Sequence, residues 1–199
     1  MGRPVDGIEV YILPITDDVI DRWDQQQVIP TYSKGEIVVS GPQVTSAYYN
    51  RPNETLRAKI YDDKGKLFHR MGDTGYLDES GRVWFCGRKA HCVHYKNEIY
   101  FSICCEGIFN VHEQVYRSAL IGLRKNGETV PALCVELEPG LRRADKELIK
   151  NELLDLGSKY DHTRVIKEIF FHPAFPVDIR HNAKINRVQL ATWAMEQSV

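Results

Sequence analysis

Three short segments set charged side chains beside glycines or small residues in ways that could serve chemistry. In Arg70-Met71-Gly72-Asp73-Thr74-Gly75, a carboxylate lies between two glycines at the junction of two expected strands. There it is held close to backbone and open to a ligand, and one carboxylate can accept from two vicinal hydroxyls, as on a ribose. The same residues also suit a turn in which Asp73 caps its own backbone. In Gly87-Arg88-Lys89, the guanidinium offers a planar fork suited to phosphate; taken alone, Arg88 also reads as a surface arginine. In Pro176–Ile185, Asn182 and Ala183 make an irregular stretch before the last helix. Lys184 there can project as a mobile positive charge that bridges a carboxylate and a phosphate as they react, or it is a solvated loop lysine.

Other groupings carry less. Cys86, His91, Cys92 and His94 fall within nine residues, and zinc accepts both residue types. Their spacing fits no common finger and a second ligand pair is lacking, so no metal site is expected. Cys104-Cys105 reads as core, and Trp23, Trp84 and Trp193 as packing residues. His181 stands out among the histidines for its closeness to Lys184.

The 199 residues are 43% hydrophobic and 27% charged, with a net charge of −1. Such a chain can bury a core of its own. Collagen-like, disordered and disulfide-scaffold classes are excluded, and the charge points to neither nucleic acid nor an anionic membrane. Five cysteines, two of them adjacent, suit a reducing compartment. No apolar run approaches the roughly 18 residues of a membrane helix, and the N-terminus lacks a signal-type apolar stretch. The expected location is the cytoplasm.

The elements that must position these residues change character along the chain. The first part reads as β-rich. Strands are expected at Ile8–Leu13, Glu36–Ser40, Leu67–Arg70, Thr74–Leu77 and Val83–Cys86, the last two joined by the turn Asp78-Glu79-Ser80-Gly81. Thr16 to Tyr32 reads as loop, and Pro52–Ile60 as a short helix with Pro52 in its first turn. Beyond Gly87 an α+β pattern follows. Helices are expected at Ser102–Asn110, at Asp145–Leu156 (capped by Asp145, with an apolar stripe of Leu148, Ile149, Leu153 and Leu156, ended by Gly157) and at Asn186–Met195. Strands are expected at Ser118–Leu123, Ala132–Leu137 and Val165–Phe171, the first two linked by Lys125-Asn126-Gly127. Residues 1–87 hold 10 Lys and Arg against 13 Asp and Glu; residues 88–199 hold 16 against 14. The pattern predicts two domains, 1–87 and 88–199.

Three runs together, GEIVVSGPQVTSAYYNRPNET, HRMGDTGYLDESGRVWFCGR and FPVDIRHNAKINRVQL, resemble the downstream part of the adenylate-forming superfamily of acyl-CoA synthetases, peptide-synthetase adenylation domains and luciferases. Gly2–Ile12 resembles the segment that opens the last subdomain of the large domain there, so the likeness covers essentially the whole chain. The fold it implies is α+β: a β-rich last subdomain of the large AMP-binding domain over 1–87, then a small mobile α+β lid over 88–199. It implies that Asp73 binds the ATP ribose, that Arg88 contacts the nucleotide at a hinge formed by Arg88, Lys89 and Ala90, and that Lys184 is the catalytic lysine of adenylation. Glu36 and Gly41 match structural positions. The implied cofactors are ATP and Mg2+, and the implied substrate is a fatty or β-hydroxy acid.

Departures refine this expectation. The position two beyond Arg88 usually carries Asp or Lys and here is Ala90. The stretch Val93–Glu98 has no glycine where many acyl-CoA synthetases carry a glycine-rich loop at the pantetheine tunnel, which leaves the use of CoA open. GRKAH and FPVDIRHNAKI are most similar to the β-lactone synthetase branch of bacterial olefin biosynthesis, in which a β-hydroxyl closes on the acyl adenylate. The family's phosphate loop and acyl pocket lie upstream of the matching region. The chain therefore reads as the last third of a fatty acid–CoA ligase-type enzyme, inactive without its N-terminal adenylation region. The competing reading is a non-catalytic binding module, prone to self-association.

Overall fold

The computed structural model describes residues 2–125, 127–140, 146–178 and 181–197, with backbone alone at 181–183. The chain forms two compact units, Met1–Ala90 and His91–Val199. Among the described residues, none of the five cysteines is in a disulfide. Among the described residues, no helix is long and apolar enough to cross a membrane.

The first unit is built on an antiparallel sheet of β1 (Glu9–Leu13), β2 (Gly35–Ser40), β3 (Lys59–Tyr61), β4 (Leu67–Leu77) and β5 (Val83–Arg88). The order runs β1-β2-β4, and β3 and β5 share the far edge of β4 end to end. Leu13, Val38, Ile60 and Phe68 form its core, and Trp23 stacks on Phe68 with ring centroids 3.8 Å apart. The loop read over Thr16–Tyr32 thus covers one face of the sheet. The short helix is α1 (Pro52–Ala58), and the chain passes from it directly into β3.

Leu67–Arg70 and Thr74–Leu77, read as two strands, are one strand of 11 residues. Gly72 makes this possible. Its φ of 66° lies in the left-handed region, where glycine bends the chain at no steric cost, between the paired positions Arg70 and Thr74 at which the β2–β4 register shifts. Asp73 therefore sits inside a strand and not at a junction of two. The β4–β5 register shifts at once afterwards, between Thr74 and Gly75, a bulge of the kind that re-aims side chains near sites.

The second unit centres on β8 (Val115–Lys125), β9 (Glu128–Leu137) and β10 (Ile169–Phe171). β8 and β9 are antiparallel, with Lys125 paired to Glu128 across the expected turn; Asn126 lies outside the described residues. β10 joins β9 in parallel and is shorter than the Val165–Phe171 expected. Helices α2 (Ser102–Phe109) and α3 (Lys146–Ser158) pack with Leu120, Leu133 and Val135, while α4 (Arg187–Glu196) packs with Ala119, Ile121, Ala132 and Cys134. Covering both faces requires continuous apolar runs in the central strands, which is what the chain supplies. Two hairpins complete the unit: β6 (Val93–Tyr95) with β7 (Glu98–Tyr100), and β11 (Val177–Asp178) with β12 (His181–Ile185).

Helix α3 corrects two details. Ile149 and Leu153 are buried, but Leu148 is 56% exposed and faces away from the core. Gly157 lies within the helix and does not stop it. A Cβ there would stand 2.9 Å from the Phe109 ring, so glycine permits α3 to approach α2. The expected cap, Asp145, lies outside the described residues. Gly157→Ala should therefore destabilise the second unit by about 1–3 kcal/mol through overpacking, although alanine is the better helix former by about 1 kcal/mol. Urea unfolding of this variant, alone and with Phe109→Leu to make room, would show the loss and its relief.

Candidate functional site

The residues singled out by sequence fall in both units: Asp73, Arg88, Lys89 and Ala90 in the first, Lys184 in the second. Asp73 and Arg88 face each other across the β4–β5 ladder, with Arg88 Nη1 3.1 Å from Asp73 Oδ1. Burial pushes the Asp73 carboxyl above its ordinary pKa, and the Arg88 charge opposes that rise. Oδ1 is nonetheless a buried oxygen with no hydrogen bond of acceptable geometry among the described residues. A buried acceptor left in this state is costly unless a donor reaches it. Beneath the pair, Thr74 Oγ1 donates to the Gly87 carbonyl at 2.8 Å and fixes the two strands together.

Below this lies a charge cluster that the sequence motifs alone did not expose. Glu36 is 2% exposed. Its Oε2 accepts from Arg70 Nε at 3.1 Å and Nη2 at 2.7 Å, and Lys89 Nζ lies 3.5 Å away. Arg70 Nη1 also donates to the carbonyls of Asp18 and Arg57, at 2.7 and 3.2 Å, and Nη2 to that of Thr16. Lys89 Nζ donates to the same Thr16 carbonyl at 2.8 Å and lies 3.3 Å from Asp17. The expected hinge residues therefore behave differently. Arg88 ends β5, Lys89 is anchored, and Ala90 is exposed within a single 3-10 turn, Lys89–His91. The signal available in sequence was a glutamate leading an otherwise apolar strand, EIVVS, and an arginine inside another.

Lys184 is exposed and lies in β12, a hairpin arm paired with β11 whose register shifts between Val177 and Asp178, so the irregularity expected around it falls within a strand. Val177 pairs with Ile185, the residue that follows the lysine. The side chains of His181, Asn182 and Ala183 lie outside the described residues. Two residues beyond Lys184, Asn186 caps α4 by accepting from the Gln189 amide at 3.1 Å. Arg187 then reaches Glu106 on α2, with Nη2 2.6 Å from Oε1, and the same oxygen accepts from the Leu120 amide at 2.8 Å. Burial raises the Glu106 pKa to about 7 against the pull of Arg187 and the amide. This pair was also missed in sequence; its trace is one glutamate in the apolar helix SICCEGIF.

Among the described residues, no group of three or more His, Cys, Asp or Glu could hold a metal ion. Cys86, Cys92, His91 and His94 form no such group. The expected glycine-free loop at Val93–Glu98 is the β6–β7 hairpin, turned at Lys96 with φ of 54°.

Comparison with known proteins adds the following. No family model matches the chain. It is 43% identical, over 100% of its length, to an olefin beta-lactone synthetase of Xanthomonas campestris pv. campestris, of which it spans 36%. It is 34% identical, over 68% of its length, to a long-chain-fatty-acid–CoA ligase of Bacillus subtilis, spanning 23% of that protein. Its fold matches that of the amide bond synthetase of Marinactinospora thermotolerans with a TM-score of 0.75 and 22% identity, over 96% of this chain and 36% of the other. The chain thus spans about a third of the length of the curated β-lactone synthetase it matches.

Two outcomes follow from the buried pairs. Glu36→Gln leaves the buried Arg70 guanidinium without its carboxylate and Lys89 with Asp17 alone, and should cost the first unit about 3–5 kcal/mol in chemical denaturation. Glu106 binds its proton more tightly folded than unfolded. Its contribution to stability is therefore complete below its ordinary pKa of 4.5 and is lost as pH rises through about 7. Glu106→Gln should flatten that slope when unfolding free energy is measured between pH 5 and 7.5.

Proposed function

Because the chain belongs to the adenylate-forming superfamily of acyl-CoA and β-lactone synthetases and matches the C-terminal portion of its members, we propose that it supplies the nucleotide-orienting strands and the mobile lid of an AMP-forming fatty acid ligase. The observation that carries this reading is the Asp73 carboxylate. Its buried Oδ1 is ion-paired with Arg88 Nη1 at 3.1 Å but accepts no well-aligned hydrogen bond among the described residues. A ribose hydroxyl would donate to that oxygen, and Arg88 keeps the carboxylate ionised so that it can accept.

In the reaction, a carboxylate oxygen of the acid attacks the α-phosphorus of ATP. The bond to the pyrophosphate leaving group breaks, and an acyl adenylate forms. Asp73 orients the nucleotide, Arg88 contacts it, and Lys184 stabilises the negative charge shared by carboxylate and α-phosphate. Mg2+ would arrive bound to the ATP phosphates, as is usual for this ion. The second unit acts as the lid, turning about Arg88, Lys89 and Ala90 in the cytoplasm of the cell.

The second step has two forms. In one, the adenylate passes its acyl group to a thiol such as CoA. In the other, a β-hydroxyl of the same acid attacks the acyl carbonyl, AMP leaves and a β-lactone closes. The lactone form is favoured by the 43% identity to the Xanthomonas β-lactone synthetase along the full chain. It is favoured also by the β6–β7 hairpin, which has no glycine in its turn.

The chain alone should give no ATP–pyrophosphate exchange. Joined to the upstream part of the Xanthomonas relative, it should exchange in the presence of a β-hydroxy acid. In that joined protein, Lys184→Ala should cut exchange by about 10²–10³-fold, the effect of removing one preorganised charge-stabilising group. Exchange by the isolated chain, or unchanged exchange in Lys184→Ala, would overturn the assignment.

A further inference from the structure

We propose that the cleft beside α1 in the first unit binds an amphipathic monocarboxylate, an alkyl or aryl acid whose head group meets Lys59. The cleft holds about 580 Å³, within the range of small-molecule sites. It shares no residue with Asp73 and Arg88, and its argument is independent of adenylation.

Lys59 opens β3 and is 6% exposed. A buried cation normally pairs with an anion, as Lys89 does with Glu36 and Asp17. Lys59 does not. Its Nζ lies 3.5 Å from Thr45 Oγ1 and 5.3 Å from the Tyr48 ring centroid, and no carboxylate of the described residues lies within ion-pair distance. Loss of hydration lowers its pKa, so the charge is held at a cost that an incoming anion would relieve. Neighbouring His69 offers no anion. Its Nδ1 engages the Ala58 carbonyl, its Nε2 faces the Tyr48 hydroxyl, and burial lowers its pKa, with the Lys59 charge adding to the effect.

The rest of the cleft selects a tail. Ile20, Ala47, Leu56 and Tyr61 line it, and Leu56 and Tyr61 remain 57% and 44% exposed. An apolar chain lying against them would remove that surface from water. Charge count selects the head. Arg51 is already held by Glu54 at 3.2 Å, and Asp21 lines the cleft. One uncompensated cation beside one acid favours a monoanion over a phosphate dianion.

The test is a titration of the isotopically labelled chain, followed by amide chemical shifts, with octanoate, 1-octanol and acetate as probes. Octanoate should shift residues 46–61 saturably, while the tail alone and the head alone bind at least about tenfold more weakly, as expected when one charge-assisted contact is lost. Lys59→Met keeps the stem and removes the charge, and should weaken octanoate by a similar factor. Leu56→Asp changes an exposed position, leaves the fold intact and should weaken it through the tail. Equal binding of octanol and octanoate, an unchanged affinity in either variant, or shifts centred elsewhere would overturn the proposal.

Discussion

Glu36 is a single carboxylate, almost wholly removed from water, around which Arg70 and Lys89 are gathered. Removing such charges from water is expensive, and their attraction offsets the cost only when geometry and additional hydrogen bonds are both favourable. Here the additional bonds come from backbone. Arg70 collects the carbonyls of Thr16, Asp18 and Arg57, and Lys89 shares that of Thr16. One side-chain cluster thus ties together the loop after β1, the end of α1, the interiors of β2 and β4, and the segment after β5. The Asp73–Arg88 pair stands on the same two strands, β4 and β5, whose positions this cluster sets. The arrangement is a fixed platform: a buried network with every charge engaged resists rearrangement because each partner would be stranded by the loss of another.

The second unit solves a different problem. Its three central strands are covered on both faces, so its cohesion is apolar and continuous, from Val93 through Leu120 and Leu133 to Leu153 on one side and from Ile121 through Cys134 to Leu190 on the other. Among its described buried polar residues, which include Ser118 and Thr163, one carries an ionisable group. Glu106 is buried at the join of α2 and β8, and from there it holds Arg187, the first residue of α4. Lys184 is three residues earlier, on the hairpin arm that leads into that helix. The lysine is exposed, yet the chain on its C-terminal side is fixed by a buried ion pair and a helix cap.

Much of this was legible in the chain, and the parts that were not share a cause. Apolar runs such as Ser118–Leu123 and Ala132–Leu137 announced strands, and Asn186 announced a helix start, because those signals are local. Leu67–Leu77 was read as two strands because glycine is an ordinary breaker of strands. That Gly72 bends this one without breaking it depends on β2 and β5, which hold the ladder on either side. Gly157 was read as a helix stop for the same reason; the Phe109 ring that requires it comes from another helix. Glu36 and Glu106 were hardest to see. A glutamate beside apolar residues has no local meaning until Arg70 or Arg187, 34 and 81 residues away, is placed against it.

Among the described residues, the buried carboxylates Glu36 and Glu106 and the buried Lys59 also differ in a way that separates structure from binding. Glu36 and Glu106 each have a guanidinium at 2.7 Å or closer and backbone-linked partners around it. Such groups are satisfied within the fold, and disturbing them costs stability. Asp73 Oδ1 and Lys59 are buried as well, but the first lacks a hydrogen bond and the second lacks an anion. Leaving these two groups short of partners adds nothing to the stability of the fold. In the functions proposed above, a ribose hydroxyl would meet Asp73 beside Arg88, and an acid would meet Lys59 in its apolar cleft.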